Sequence, residues 1–195
     1  MTRTVTALRE RGRGRVAVEL DGSTWRVLPA AAVVRAGVRP GGPLDRETAR
    51  LLARELRRGK AVARATRALA ARDRSRGELE ERLERAGVPA GAREEAMAAL
   101  EVSGLLDDTR VAEGRARELA RRGYGNAAIR SDLERRRIPR DAVNAAIDAL
   151  EPELERAQRL LDSRRPLPAV VRRLAARGFS RDTLDELAAA FAREA

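Results

Sequence analysis

Residues 69–89 read LAARDRSRGELEERLERAGVP, and the chain returns to this pattern twice. Residues 119–139 read LARRGYGNAAIRSDLERRRIP, and from Leu174 the sequence runs LAARGFSRDTLDELAAAFA. Superposing the copies aligns Leu69 with Leu119 and Leu174, and Leu79 with Ile129 and Leu184. Leu83 aligns with Leu133, and Val88-Pro89 with Ile138-Pro139. The register persists into the following segment, where Met97 and Leu100 meet Ile147 and Leu150. Apolar positions at helical spacing, with one turn and one proline recurring at matching offsets, define a repeated helical unit of about 50 residues.

Each copy carries helix-start signals. Ser75 and Glu78 form an S-x-x-E capping box, in which the serine oxygen and the glutamate satisfy otherwise orphaned backbone N–H groups. Ser180 occupies the same place in the third copy, with Thr183 where Glu78 stood; in the second copy Gly125 stands there and Asn126 is the expected cap. Leu105-Leu106-Asp107-Asp108 opens the second unit, the leucines as anchors and one aspartate as helix cap. Gly59 predicts a break between a helix over 45–58 and one over 61–72. Further helices are predicted over 76–85, 90–102, 109–122, 126–137, 140–150, 152–161, 169–176 and 181–193. Ser163-Arg164-Arg165-Pro166-Leu167-Pro168 reads as a linker.

Residues 1–44 are different. Val5–Leu8 and Arg15–Leu20 suit strands, Asp21-Gly22 is a hairpin turn, and Ser23–Leu28 is the returning strand. Pro29 ends it, a short helix is predicted over 30–36, and Gly41-Gly42-Pro43 reads as a loop. A lone hairpin is marginal, so this piece must pack on the first helices, with Trp25 as an anchor. The expected organisation is a β-containing module over 1–44 and helical modules over 45–106, 107–150 and 151–195. The fold class is mainly α: tandem three-helix repeats in an elongated curved array behind a small β-hairpin segment.

Composition narrows the chemistry. The 195 residues contain no cysteine and no histidine, which removes thiolate nucleophiles, the commonest neutral-pH acid–base and the usual zinc ligands. Asp107-Asp108 is the most suggestive acidic pair, but neighbours on a helix do not share a face, and capping accounts for both. No phosphate-binding or dinucleotide fingerprint occurs. No catalytic residue, metal ligand or cofactor is therefore expected, nor is a membrane segment, and the setting expected is the cytoplasm.

The formal charge of +11 favours an anionic partner. The arginines cluster at the repeated turns: Arg72, Arg74 and Arg76 at the first, Arg121, Arg122 and Arg130 at the second, Arg172, Arg173, Arg177 and Arg181 at the third. Arg135-Arg136-Arg137 adds a triplet at a helix end, where the helix dipole also favours cations. Stacked units would align these into a basic stripe. Aromatic residues, at 2% of the chain, are too few for a base-stacking platform.

The chain resembles the RecX family of regulatory proteins in LAARDRSRGELEERL (69–83), in Leu105–Ala112 with its Leu106-Asp107-Asp108-Thr109-Arg110 core, and in Gly123-x-Gly125 followed by Ile129 and Leu133. The likeness continues through Arg136-Arg137-Ile138-Pro139 and through Leu174–Ser180, with Gly178-Phe179, in the family's order across 60–195. It departs at Val111, where that pattern usually has phenylalanine, and at Asp73-Arg74, where an aromatic often precedes the serine. The resemblance implies a monomeric modulator of the RecA recombinase that binds the groove of the RecA–single-stranded-DNA filament, with the DNA as a further contact, and restrains ATP hydrolysis and strand exchange. Two other readings stay open on charge alone: a stand-alone nucleic-acid-binding protein, and a helical scaffold for another acidic protein.

Overall fold

The computed structural model describes residues 3–161 and 166–194, with side chains to residue 191. Packing divides the chain into two compact units, one running through Ala68 and including Arg82–Ser103, the other made of Leu69–Glu81 and the chain from Gly104 onward. The Ser163-Arg164-Arg165 part of the expected linker lies outside the described residues.

In the first unit, β1 (Arg3–Glu10), β2 (Arg15–Leu20) and β3 (Ser23–Pro29) are joined by α1 (Ala30–Arg35) to a two-residue strand, β4 (Pro43–Leu44). The sheet order is β3-β2-β1-β4, antiparallel throughout. Asp21 and Gly22 both have positive φ, 50° and 86°, the conformation whose twist matches a two-residue hairpin. The segment read as a loop at Gly41-Gly42-Pro43 is thus partly a strand: Pro43 pairs with Thr4 and Leu44 with Arg3. An edge strand accommodates proline because its missing N–H costs no ladder bond there.

The helix expected to break at Gly59 does not. α2 runs unbroken over Arg46–Ala71. Its buried face continues across the glycine, with Leu52 on one side and Ala61, Ala65 and Ala68 on the other. Burial along that stripe outweighs the cost of about 1 kcal/mol for one exposed helical glycine. Leu52, with Leu56 beside it, packs on the core formed by Val5, Val18, Leu20, Leu28 and Val33, and Trp25 lies half-buried against the same cluster. The helical anchor predicted for the sheet is therefore α2. α3 (Arg76–Arg85) and α4 (Ala90–Val102) follow, with Ala96, Met97 and Leu100 buried along one face of α4.

The second unit contains α5 (Asp108–Arg121), α6 (Asn126–Arg135) and α7 (Arg140–Asp148), closed around Ala116, Ile129, Leu133 and Val143. α8 (Glu153–Gln158), α9 (Leu167–Ala176) and α10 (Arg181–Glu194) bury Ala157, Leu174, Phe179 and Leu187. Leu79, Ile129 and Leu184, one residue per copy, are all buried, as are Leu83 and Leu133. The protein is mainly α, with tandem three-helix repeats behind a β-containing N-terminal segment. Of the two expected leucine anchors only Leu106 is buried, at 4% exposure; Leu105 is half exposed, at 50%.

A basic groove along α5

Two acidic residues at helix starts tie the second unit together. Asp107 caps α5 by accepting from the Arg110 amide at 3.0 Å, which frees Asp108 to reach back and accept the Arg76 amide at 2.6 Å. Arg76 opens α3, whose start is also closed by the predicted capping box: Ser75 Oγ accepts from the Glu78 amide at 3.1 Å and a Glu78 carboxylate oxygen accepts the Ser75 amide at 3.2 Å. Ser75 is fully buried, and its hydroxyl donates to the Arg136 carbonyl.

Glu153 acts in the same way one unit later. As the first residue of α8 it accepts the Asn126 amide at the start of α6, and its other oxygen accepts the Ser180 amide at 3.1 Å and the Thr183 hydroxyl at 3.0 Å at the start of α10. The expected cap by Asn126 is therefore corrected: Gly125 is the N-cap and offers no side chain. The Asn126 side-chain oxygen accepts from Arg156. Arg156 is only 5% exposed, and it also donates to the Glu151 and Tyr124 carbonyls, each at 3.0 Å. Burial pulls its pKa below the usual arginine value, against the raising influence of Glu153 and Glu151. The burial of Glu153 pushes its carboxyl upward, yet the bonds from Asn126, Ser180 and Thr183 together leave its pKa below the ordinary 4.5.

A second network fixes the open face of α5. Arg115 grips Asp132 of α6 through two donors at 2.8 and 3.1 Å and reaches Glu118 at 2.8 Å. Arg136 joins the same Asp132 at 3.1 Å and Glu78 at 3.5 Å. The hydrogen bonds from Arg115 are the chief reason the Asp132 pKa is held down at about 2, with Arg136 adding to them against burial. Beside this network α5 walls a hollow of about 400 Å³, rimmed by Arg72, Arg110 and Arg121 and floored in part by Val111 and Gly114. A neighbouring hollow of about 300 Å³ shares Arg115 and adds Arg122 and Arg135. Together they form a basic groove along α5.

The predicted arginines differ in what they touch. Arg130 donates to the Asn144 side chain at 2.5 Å, Arg173 to the Leu160 carbonyl at 3.0 Å, and Arg177 to the Arg122 carbonyl at 3.0 Å, while Arg136 sits in the Asp132 network. Arg74 and Arg76 are half-buried and engaged within the fold. Arg72, Arg122, Arg135 and Arg137 are exposed with lateral carboxylate neighbours. Arg121 and Arg172 are exposed and form no ion pair among the described residues. Of these, Arg72, Arg121, Arg122, Arg135 and Arg136 line the groove; Arg130, Arg137 and the third-turn arginines do not. Two guanidiniums, of Arg122 and Arg177, lie over the Tyr124 ring at 5.6 and 5.9 Å, so that ring is already covered.

The residues of the repeated motifs have structural places. Leu106, Ile138 and Phe179 are buried. Arg110 stands 3.9 Å from Asp73 at the groove rim, and Gly123 lies beneath Arg177. Gly178, with φ near 80°, has no space for a Cβ, which would stand 2.6 Å from Ala128. Arg115, Asp132, Glu153 and Arg156 were not singled out by the sequence. The available signal was Glu153 standing one unit after Asp108, each as the first residue of a helix.

These features define a tandem helical-repeat protein. Among the described residues no acidic cluster is arranged to hold a metal ion, and no helix is long and apolar enough to cross a membrane. The model of the first three-helix domain of RecX matches residues 61–100, and that of the second matches 107–147. Two proteins named regulatory protein RecX, from Stenotrophomonas maltophilia strains K279a and R551-3, are 35% and 34% identical over 117 residues, covering 55% of this chain and 72% of theirs. A crystal structure of regulatory protein RecX superposes with a TM-score of 0.81 at 20% identity, over 95% of this chain and 98% of that one. RecX from Lactobacillus salivarius gives 0.60 at 21% identity, over 67% and 94%; these two likenesses bear on the fold. The chain belongs to the RecX family of regulatory proteins, a family of regulators and not of enzymes.

Proposed function

We propose that this protein modulates the RecA recombinase by binding in the groove of the RecA–single-stranded-DNA filament, restraining ATP hydrolysis and strand exchange. Membership of the RecX family carries the reading. The basic groove along α5 supports it as the contact surface: its exposed arginines belong to segments that the two family models cover, and Arg121 among them forms no ion pair among the described residues. A repeat protein presenting several modest contacts on one body gains avidity against a repeating filament.

The test is DNA-dependent ATP hydrolysis and strand exchange by the cognate RecA. The wild-type protein should inhibit both, and the Arg121→Ala/Arg122→Ala/Arg135→Ala variant should inhibit less while keeping its helicity. Unchanged hydrolysis and exchange at stoichiometric excess of wild-type protein would overturn the reading. Tight binding to DNA without RecA, falling steeply with salt, would instead favour a stand-alone nucleic-acid-binding protein.

A further inference from the structure

Glycine is the poorest helix former after proline, so a glycine inside a helix needs a reason. Gly77 in α3 has one, since a Cβ there would collide with Arg137. Gly91 lies in the first turn of α4, where the helix is least demanding. Gly59 and Gly114 remain: a Cβ at either would meet no described atom within 4 Å. Gly114 is the one inside the basic groove, exposed at the middle of α5. The described fold would accept alanine there and gain from it.

The surroundings of Gly114 suggest what the missing side chain makes room for. Val111 precedes it by one helical turn and is half-buried in the same floor. Arg115 and Arg136 are held by Asp132, so the wall they form is fixed. On the rim, Arg110 has only a distant Asp73 neighbour at 3.9 Å, Arg121 has no ion pair among the described residues, and Arg72 reaches Glu78 at 3.2 Å. Two carboxylates, Asp73 and Glu118, also face the hollow. A phosphate backbone would gain nothing from a glycine in mid-helix, whose N–H is committed within the helix. A polypeptide gains directly, because a missing Cβ lets two main chains approach.

We propose that an acidic protein segment crosses α5 at Gly114, its main chain against the glycine and its carboxylates on Arg72, Arg110 and Arg121. The inference rests on the filament-modulator reading and names the contact through which that modulation is exerted.

Gly114→Ala and Gly114→Leu test it, because stability and function should move in opposite directions. Relieving the helical glycine should raise the thermal midpoint of Gly114→Ala by about 2–4 °C. Inhibition of RecA ATP hydrolysis and binding to the RecA filament should weaken in Gly114→Ala, and about tenfold or more in Gly114→Leu, whose side chain fills the approach. If wild-type protein inhibits and both variants inhibit equally well, the contact at Gly114 is overturned while the modulator reading stands. If wild-type protein does not inhibit at all, the modulator reading itself fails. A loss of binding to free single-stranded DNA that matches the loss on the filament would assign the groove to nucleic acid and overturn the acidic segment.

Discussion

The starts of α3 and α6 occupy matching positions in two copies of one sequence pattern, yet they are closed by different chemistry. At α3 the helix supplies its own cap from Ser75 and Glu78, with Asp108 taking one further amide. At α6 there is no side-chain cap, and the backbone of another repeat takes that place. Gly125 donates to the Arg177 carbonyl at 2.9 Å, Ala127 donates to the Gly178 carbonyl at 3.0 Å, and Glu153 accepts from Asn126. The orphaned N–H groups of a helix start need acceptors, and the source of the acceptors is free to vary. Apolar register is conserved between the copies because core volume constrains it; the polar joint can differ because satisfaction is its only requirement.

The difference is broken most severely at Gly125. A Cβ there would fall inside the contact radius of the Gly178 carbonyl and the Phe179 amide, both main chain and unable to rotate away. Gly125→Ala should destabilise the protein by about 3 kcal/mol, measured by urea denaturation. Glu153 comes next, because one carboxylate serves the starts of both α6 and α10. Glu153→Gln keeps one acceptor oxygen and should cost about 2 kcal/mol near neutral pH. Its carboxyl pKa is depressed in the fold, so its contribution is complete above the ordinary value of 4.5 and is lost as pH falls through the lower folded value. The gap between wild-type and Glu153→Gln melts should therefore narrow in acid; a gap independent of pH would show that the charge of Glu153 is not what holds the joint.

The same contrast explains what the sequence displayed. The capping box at Ser75 was legible because both partners lie within one turn, and the aligned leucines and isoleucines located the buried faces. Glu153 was illegible because its partners stand 27 to 30 residues away and its neighbours in sequence resemble a solvated acidic face. Gly59 misled because a local breaker signal says nothing of an apolar stripe running past it on both sides. The groove was legible in part: the arginines near the first two turns were visible as a charge cluster. Their division into groove-lining Arg121 and internally tied Arg130 depends on Asn144, which belongs to a different helix.

Ser75 supplies the smallest and most discriminating effect. Ser75→Ala removes the acceptor for the Glu78 amide and the donor to the Arg136 carbonyl, in a fully buried position, and should cost about 1–2 kcal/mol. Ser75→Gly installs the residue of the other joint. Glycine is a tolerable N-cap where alanine is a poor one, so Ser75→Gly should unfold at a higher urea concentration than Ser75→Ala despite the smaller side chain. The exchange is then asymmetric: the first joint accepts the glycine of the second, while the second has no room for any side chain. The asymmetry follows from where the acceptors come from, a side chain that can be spared in one case and an abutting main chain in the other. Equal losses in Ser75→Ala and Gly125→Ala, or a Ser75→Gly variant weaker than Ser75→Ala, would mean that the two joints share one mechanism after all.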